Sequence, residues 1–368
     1  MQQVDPASTP AAHTMRGYVG SMLDVLVAGG GPSGLATAIL ARQAGLRVQV
    51  VEPKAGIIDK ACGEGLMPPA VAFLRDQLGV TPTPVRPFRG VRYIRDGHTA
   101  GADFPDGGVG WGVRRLALHD ALRTRADAVG VQRVAGRVED IVQYEDHVEA
   151  GGTRARVLVA ADGLRSGIRA RLGLDLPPTR PTRLGVRQHF HTAPWSDFVE
   201  VHWSAEAEAY VTPVSEDTVG IAILYHPPVG EGVGRTPFQR LLSGFPELDA
   251  RLGQPASTLR GAGPFERQVR SRVAGRVLLV GDAAGYLDPI TGEGLRLGFD
   301  AAEAAVACIL AEDLPAYEAR WRGLSRRYWW MTDGLLRVSR VGVARRLMVP
   351  FLERAPFVMR GVLGALAV

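Results

Sequence analysis

Lysine is nearly absent from this chain, occurring only at Lys54 and Lys60. The formal net charge of +5 therefore rests on arginine. Those arginines are scattered and stand in no RNA- or DNA-binding motif, so the sequence argues against a nucleic-acid partner. Cysteine is as scarce, with Cys62 and Cys308 alone. Two distant cysteines make neither a disulfide framework nor a metal-ligand spacing, and they suit a reducing cytoplasm. No apolar run reaches the roughly 18 residues of a spanning helix. Residues 1–21 carry Pro, Ser, Thr and Gln without an apolar stretch, and are expected to be a disordered tail or an overlong start, not a signal peptide. What remains is ordinary for a globular chain: 368 residues, 46% hydrophobic and 22% charged, enough for two packed units.

Glycine is concentrated at particular places. The string Val25-Leu26-Val27-Ala28-Gly29-Gly30-Gly31-Pro32-Ser33-Gly34 begins with an apolar run that reads as a buried parallel strand. Gly29, Gly31 and Gly34 follow at G-x-G-x-x-G spacing, and residues 35–44 read as a helix capped by Gly45. Residues 47–51 are a second strand ending at Glu52, 23 residues after Gly29. In such a unit the first glycine permits the tight turn, the second lets backbone approach a pyrophosphate, and the third allows close helix–strand packing. The helix N-terminus faces the phosphates with unpaired N–H groups and a positive dipole end, while Glu52 offers an acceptor to ribose hydroxyls. The unit predicts a dinucleotide site.

A second glycine-bearing segment lies about 250 residues downstream, Val277-Leu278-Leu279-Val280-Gly281-Asp282-Ala283-Ala284-Gly285, followed by Pro289-Ile290-Thr291-Gly292-Glu293-Gly294. Residues 295–310 continue as an Ala-rich helix, whose N-terminus would favour negative charge on a bound ring system. Between the two segments, residues 156–160 form another buried strand entering Ala161-Asp162-Gly163. Residues 185–192, 198–203, 209–214 and 218–225 alternate with a period of two, which predicts an antiparallel sheet with one covered face. Since the dinucleotide pattern resumes at Arg276, that sheet is inserted. The expected fold class is α/β, with residues 22–85, 110–180 and 270–312 as a discontinuous Rossmann-like domain. Residues 86–109 and 181–269 form the β-sheet domain, and 313–368 a helical segment.

Three motifs in this order resemble flavoproteins of the p-hydroxybenzoate hydroxylase and geranylgeranyl reductase superfamily, over residues 22–310. The resemblance implies an FAD-binding domain of the glutathione-reductase type. It assigns Gly29, Gly31, Pro32, Ser33, Gly34, Glu52 and Pro53 to the ADP part of FAD. Ala161-Asp162-Gly163-Leu164-Arg165-Ser166 with Arg169 would support the pyrophosphate region and NAD(P)H handling, Asp162 being its cofactor-binding residue. Gly281 and Asp282 would take ribityl or ribose hydroxyls, Arg115 would approach FAD, and Pro289, Gly292, Glu293 and Gly294 would lie along the flavin. NAD(P)H is expected as a transient reductant, because no second dinucleotide unit is present.

The loop Asp59-Lys60-Ala61-Cys62-Gly63-Glu64-Gly65-Leu66 is similar to the reductase and halogenase-like branches, and the resemblance brings it beside the flavin. Lys60 and Cys62 are candidates there, as flavin or substrate contacts, with Cys62 disfavoured as a covalent nucleophile for want of a paired histidine. On the inserted sheet, alternation puts Gln188, Phe190 and Thr192 on one face and His189 and His191 on the other; alternation alone leaves open which face turns to the cleft, where histidines would act as donor or base. The reductases' Tyr-x-Trp-x-Phe-Pro element is reduced to Tyr210-Val211-Thr212-Pro213, which tilts the expectation toward hydroxylation. The expected activity is thus an NAD(P)H-driven monooxygenase, acting through a flavin C4a-hydroperoxide on an aromatic or polyketide-like substrate. The alternative is reduction of alkene bonds in a prenyl or other lipophilic substrate. No metal is expected. The Arg-rich, bulky C-terminal helices are expected to pack on the FAD domain, with peripheral membrane contact left open for a cytoplasmic protein.

Overall fold

The computed structural model describes residues 22–228, 230, 232–233 and 237–366; the tail expected over residues 1–21 lies outside the described residues. The first sheet has eight strands. At its centre Leu23–Ala28 pairs in parallel with Val48–Glu52 on one side and Thr153–Ala160 on the other. Gln132–Ala135 extends it beyond Val48–Glu52, and Val277–Leu279 extends it beyond Thr153–Ala160, both parallel. Val25, Leu26 and Val27 have no solvent exposure, as the unbroken apolar run requires of a strand covered on both faces. Helix α1 (Pro32–Gln43) is buried along most of its length between the sheet, α2 (Arg115–Ala128) and α3 (Gly294–Leu310).

The second sheet has seven strands, in the order Arg260–Ala262, Leu184–His191, Thr218–Tyr225, Ala207–Pro213, Phe198–Trp203, Gly90–Arg95, His98–Asp103. All pairs are antiparallel except Phe198–Trp203 with Gly90–Arg95. Its alternation sorts side chains to two faces. Val186, Phe190, Val211, Ile221 and Ile223 pack under two short helices, Phe238–Leu242 and Pro246–Asp249. The opposite face carries Arg187, His189, Val199, Val201, Tyr210, Thr212 and Leu224, and turns toward the first sheet.

Three helices close the chain: α4 (Ala316–Arg340), α5 (Gly342–Arg354) and α6 (Pro356–Leu366). Only α4 packs on α3; α5 and α6 pack on His98–Asp103 of the second sheet. This differs from the packing on the FAD domain read from sequence, and its cause is chemical. Buried Arg183 bridges Glu208 and Asp288 at 2.9 Å each, and buried Arg345 of α5 binds Glu208 as well. The ion network ties the second sheet, the segment before Pro289 and α5 into one wall.

Candidate active site

The glycine loop divides its labour as the motif demands. Gly29 has φ of +108°, and a Cβ there would stand 2.4 Å from the Ala161 carbonyl oxygen. A Cβ on Gly34 would stand 2.0 Å from the Gly29 carbonyl oxygen, so helix and strand meet through bare backbone. Gly31 is the opposite case: φ is −70°, and nothing lies within 4 Å of its Cβ position. That open space sits before the first turn of α1, which has no side-chain cap. Glu52 accepts the Gly30 N–H at 2.8 Å and the Lys54 N–H at 3.1 Å. Pro53 is exposed and lines neither this site nor the cleft beyond it.

Sequence reading missed His119. This α2 residue donates from Nε2 to the Gly30 carbonyl at 2.8 Å and accepts the Ile58 N–H on Nδ1 at 3.1 Å. Both bonds suit the neutral ring, and burial lowers its pKa to about 4. It staples the loop to the chain beyond Glu52, through pairings visible only once α2 has packed.

Across the cleft, Asp162 accepts the Ile168 N–H on Oδ2 at 3.2 Å, while buried Oδ1 has no partner. Arg169 fastens this turn to the second glycine segment by donating to the Leu164, Asp282 and Ala283 carbonyls. Asp282 lies in the turn Gly281–Ala284, where burial raises its carboxyl pKa against the pull of Lys60 and Arg115. Arg115 is 5% exposed and holds an unpartnered Nη1. Gly292 has φ of +74° with open space at its Cβ position, at the threshold of α3. Glu293 is not in the cleft wall; its Oε2 is buried without a partner, and burial lifts its pKa to about 7.

Residues 59–66 cross between the two sheets. Glu64 has φ of +61° and is buried. Its Oε1 accepts the Arg115 N–H at 2.8 Å, and Oε2 pairs with His189 Nε2 at 2.5 Å. His189 Nδ1 meets Ser257 Oγ at 2.8 Å, and Arg187 reaches Asp59 at 2.5 Å. Both ring nitrogens of His189 are engaged, so it anchors the loop and does not face the cleft as a base. His191, at the strand end, is exposed and lines no cavity either. Cys62 does line the cleft; burial, then Glu64, raises its thiol pKa, which keeps it protonated and disfavours a nucleophilic role. Lys60 also lines it. Solvent reaches Lys60 from the open side, yet the walls lower its pKa while Asp282 offsets part of the effect.

These groups border one continuous cavity of about 1510 Å³. It starts at Gly31, Asp162 and Asp282, passes Cys62, Thr212 and Tyr210, and runs on between the second sheet and α4–α6. A smaller cavity of about 180 Å³ beside Glu52, His119 and Arg123 continues the first end.

Residues 119–316 match the FAD binding domain family. The chain belongs to this family. It is an FAD-dependent oxidoreductase. Among curated relatives, menaquinone reductase of Mycobacterium tuberculosis (strain ATCC 25618 / H37Rv) is 29% identical over 322 residues, covering 79% of this chain and 77% of that protein. Digeranylgeranylglycerophospholipid reductase 1 of Methanopyrus kandleri is 28% identical over 333 residues, covering 81% and 85%. Among solved structures, p-nitrophenol 4-monooxygenase PnpA of Pseudomonas putida DLL-E4 superposes with a TM-score of 0.77 at 22% identity, over 93% and 96% of the two chains, a likeness of fold.

The residues present fit FAD. Gly31 and the uncapped α1 N-terminus leave room and donors for a pyrophosphate. The smaller cavity at Glu52 suits the adenosine end. Arg115 Nη1 and Asp162 Oδ1 are buried polar atoms lacking partners, which a folded chain tolerates where a ligand completes them. Asp282 offers an acceptor to polyol hydroxyls, and Gly292 with the α3 N-terminus offers donors to an anionic ring edge.

Proposed function

We propose that this oxidoreductase saturates alkene bonds in a long prenyl chain, with NAD(P)H or another two-electron donor as reductant. The observation that carries the reading is the cavity. Ordinary small-ligand sites measure roughly 300–1,000 Å³, and about 1510 Å³ leaves space for an extended apolar chain beside the cofactor. The extra volume is lined by Leu335, Met348, Met359 and Leu363 of α4–α6 and by Val199, Val201 and Leu224 of the sheet. Its length and apolarity suit a polyisoprenoid better than a single aromatic ring. The names of the two reductase relatives point the same way.

Bound FAD, once reduced, supplies a hydride equivalent. The chain's own groups supply the rest. Tyr210 donates its hydroxyl to the Ile290 carbonyl at 2.8 Å and Thr212 to the Gly63 carbonyl at 2.7 Å. Both hydroxyls are thereby spent on backbone, which leaves the wall around the chain apolar and water-poor. Cys62 holds a proton on Sγ within the same wall. One observation favours hydroxylation as a second reading: Thr212 stands where the reductase element carries tryptophan, so that element is not intact in this chain.

The decisive experiment is anaerobic turnover of a prenyl lipid by flavin reduced in deuterated buffer. The expected product gains two hydrogens with deuterium on a saturated carbon. Product formation that requires dioxygen and carries its labelled oxygen would overturn the reading in favour of the monooxygenase.

A further inference from the structure

The cavity opens within an apolar collar. Among its lining side chains, Trp330, Val338, Leu347 and Phe351 are exposed, Trp330 by 77%. Val343 on α5 and Phe357 on α6 are 70% and 71% exposed and lie outside the cavity lining. Large apolar side chains gathered on three consecutive helices mark an interaction site. The charge around them has one sign. Arg337, Arg340, Arg346, Arg354 and Arg360 are exposed on the same helices. Within residues 342–366 the sole acidic residue is Glu353, and it is occupied by His98 Nδ1 at 2.7 Å and the Thr99 N–H at 3.1 Å on the second sheet. On α4, Asp333 is bound by Arg180 and Arg337.

We propose that α4–α6 are a docking surface for a bilayer rich in anionic phospholipid, with the cavity mouth opening against the acyl chains. The proposal rests on the reading of the cavity as a prenyl tunnel. Arginines at the rim pair with anionic headgroups, while Trp330, Val343, Leu347, Phe351 and Phe357 enter the headgroup–acyl boundary, the division of labour of an interfacial amphipathic helix. No helix among the described residues is long and apolar enough to cross a membrane, so the contact is with one leaflet. A lipid chain then passes from bilayer to cavity without exposure to water. A second copy of this chain is the weaker occupant, because two arginine-rimmed faces would meet like charge with like charge.

The test uses FAD-loaded protein and sucrose-loaded vesicles without substrate. The protein should sediment with vesicles of equimolar phosphatidylglycerol and phosphatidylcholine, and at least about tenfold less with phosphatidylcholine alone or at high salt. The double variant Val343→Asp/Phe357→Asp should lose about tenfold or more of the partitioning. Its flavin content, thermal midpoint and turnover of a detergent-dispersed prenyl lipid should be unchanged, since neither side chain lines the cavity. The proposal is overturned if the wild-type protein stays in the supernatant with anionic vesicles, or if the variant sediments as well as the wild type. A wild-type dimer that the variant converts to monomers would instead assign the face to a second copy. Sedimentation without any prenyl reduction would leave the docking surface standing and remove the alkene reading alone.

Discussion

Replacing Gly31 by alanine separates cofactor binding from folding, because the free chain requires glycine here neither sterically nor conformationally. Its φ of −70° and ψ of 177° are ordinary for alanine, and no atom lies within 4 Å of the new methyl. The unfolded chain meanwhile loses backbone freedom, worth about 0.4–1 kcal/mol in favour of the folded state. The FAD-free variant should therefore melt no lower than wild type, and about 0.5–1.3 °C higher in a chain of this size. Binding should move the other way. The methyl fills the space before α1 through which a pyrophosphate must approach, and the loss of one charge-assisted N–H bond costs about 1.5–3 kcal/mol, or roughly 10–150-fold in Kd.

The assay is paired: calorimetry on the FAD-free chain and fluorescence titration with FAD. Gly34→Ala is the contrasting control. Its methyl would overlap the Gly29 carbonyl oxygen, so it should depress the melting temperature and FAD affinity together. An FAD affinity of Gly31→Ala equal to wild type would refute the placement of the phosphates. A lowered FAD-free melting temperature in Gly31→Ala would refute the claim that the site is sterically empty.

Asp282→Ala should keep the fold, because it removes a carboxyl whose burial is unfavourable, yet lose about tenfold or more in FAD affinity by equilibrium dialysis. Stability of the FAD-free chain should fall as pH drops from 6.5 toward 4, since the unfolded state protonates His119 in that window while the folded state resists; His119→Asn should flatten that part of the curve in denaturant titrations. Gly334 of α4 lines the cavity with open space at its Cβ position, so Gly334→Phe should preserve flavin content and melting temperature while shortening the longest prenyl chain reduced, as read by product mass.

The strand–turn–helix–strand unit at the N-terminal glycine loop was legible because its constraints are local. Gly29, Gly34 and Glu52 serve a single strand–turn–helix–strand unit, and each requirement shows within 23 residues of sequence. His119 was silent because its partners, Gly30 and Ile58, are more than 60 residues away and are backbone groups that no side-chain pattern announces. Alternation placed His189 and His191 on one face correctly in kind, but could not say that Glu64 from a distant loop would fill one end of that face. Glu64 itself offered a faint signal, a carboxylate between two glycines. The C-terminal helices misled for a related reason: apolar residues that line a cavity look in sequence like apolar residues that fill a core.

The ion network under residues 59–66 explains how so short a connection holds its place. That loop has only the two-residue strand Gly65–Leu66 for regular pairing, and Glu64 adopts a backbone conformation that disfavours side chains. Burying Glu64 and Arg187 is costly unless their charges meet partners, and a buried His189 needs both ring nitrogens hydrogen-bonded. Here Glu64 accepts the Arg115 backbone N–H of α2 and pairs with His189 of the second sheet, and Asp59 joins the guanidinium groups of Arg187 and Arg260. The polar residues of the cleft therefore do not merely face a cofactor. They fix the gap between the two sheets, and with it the width of the cavity in which Lys60 and Cys62 stand.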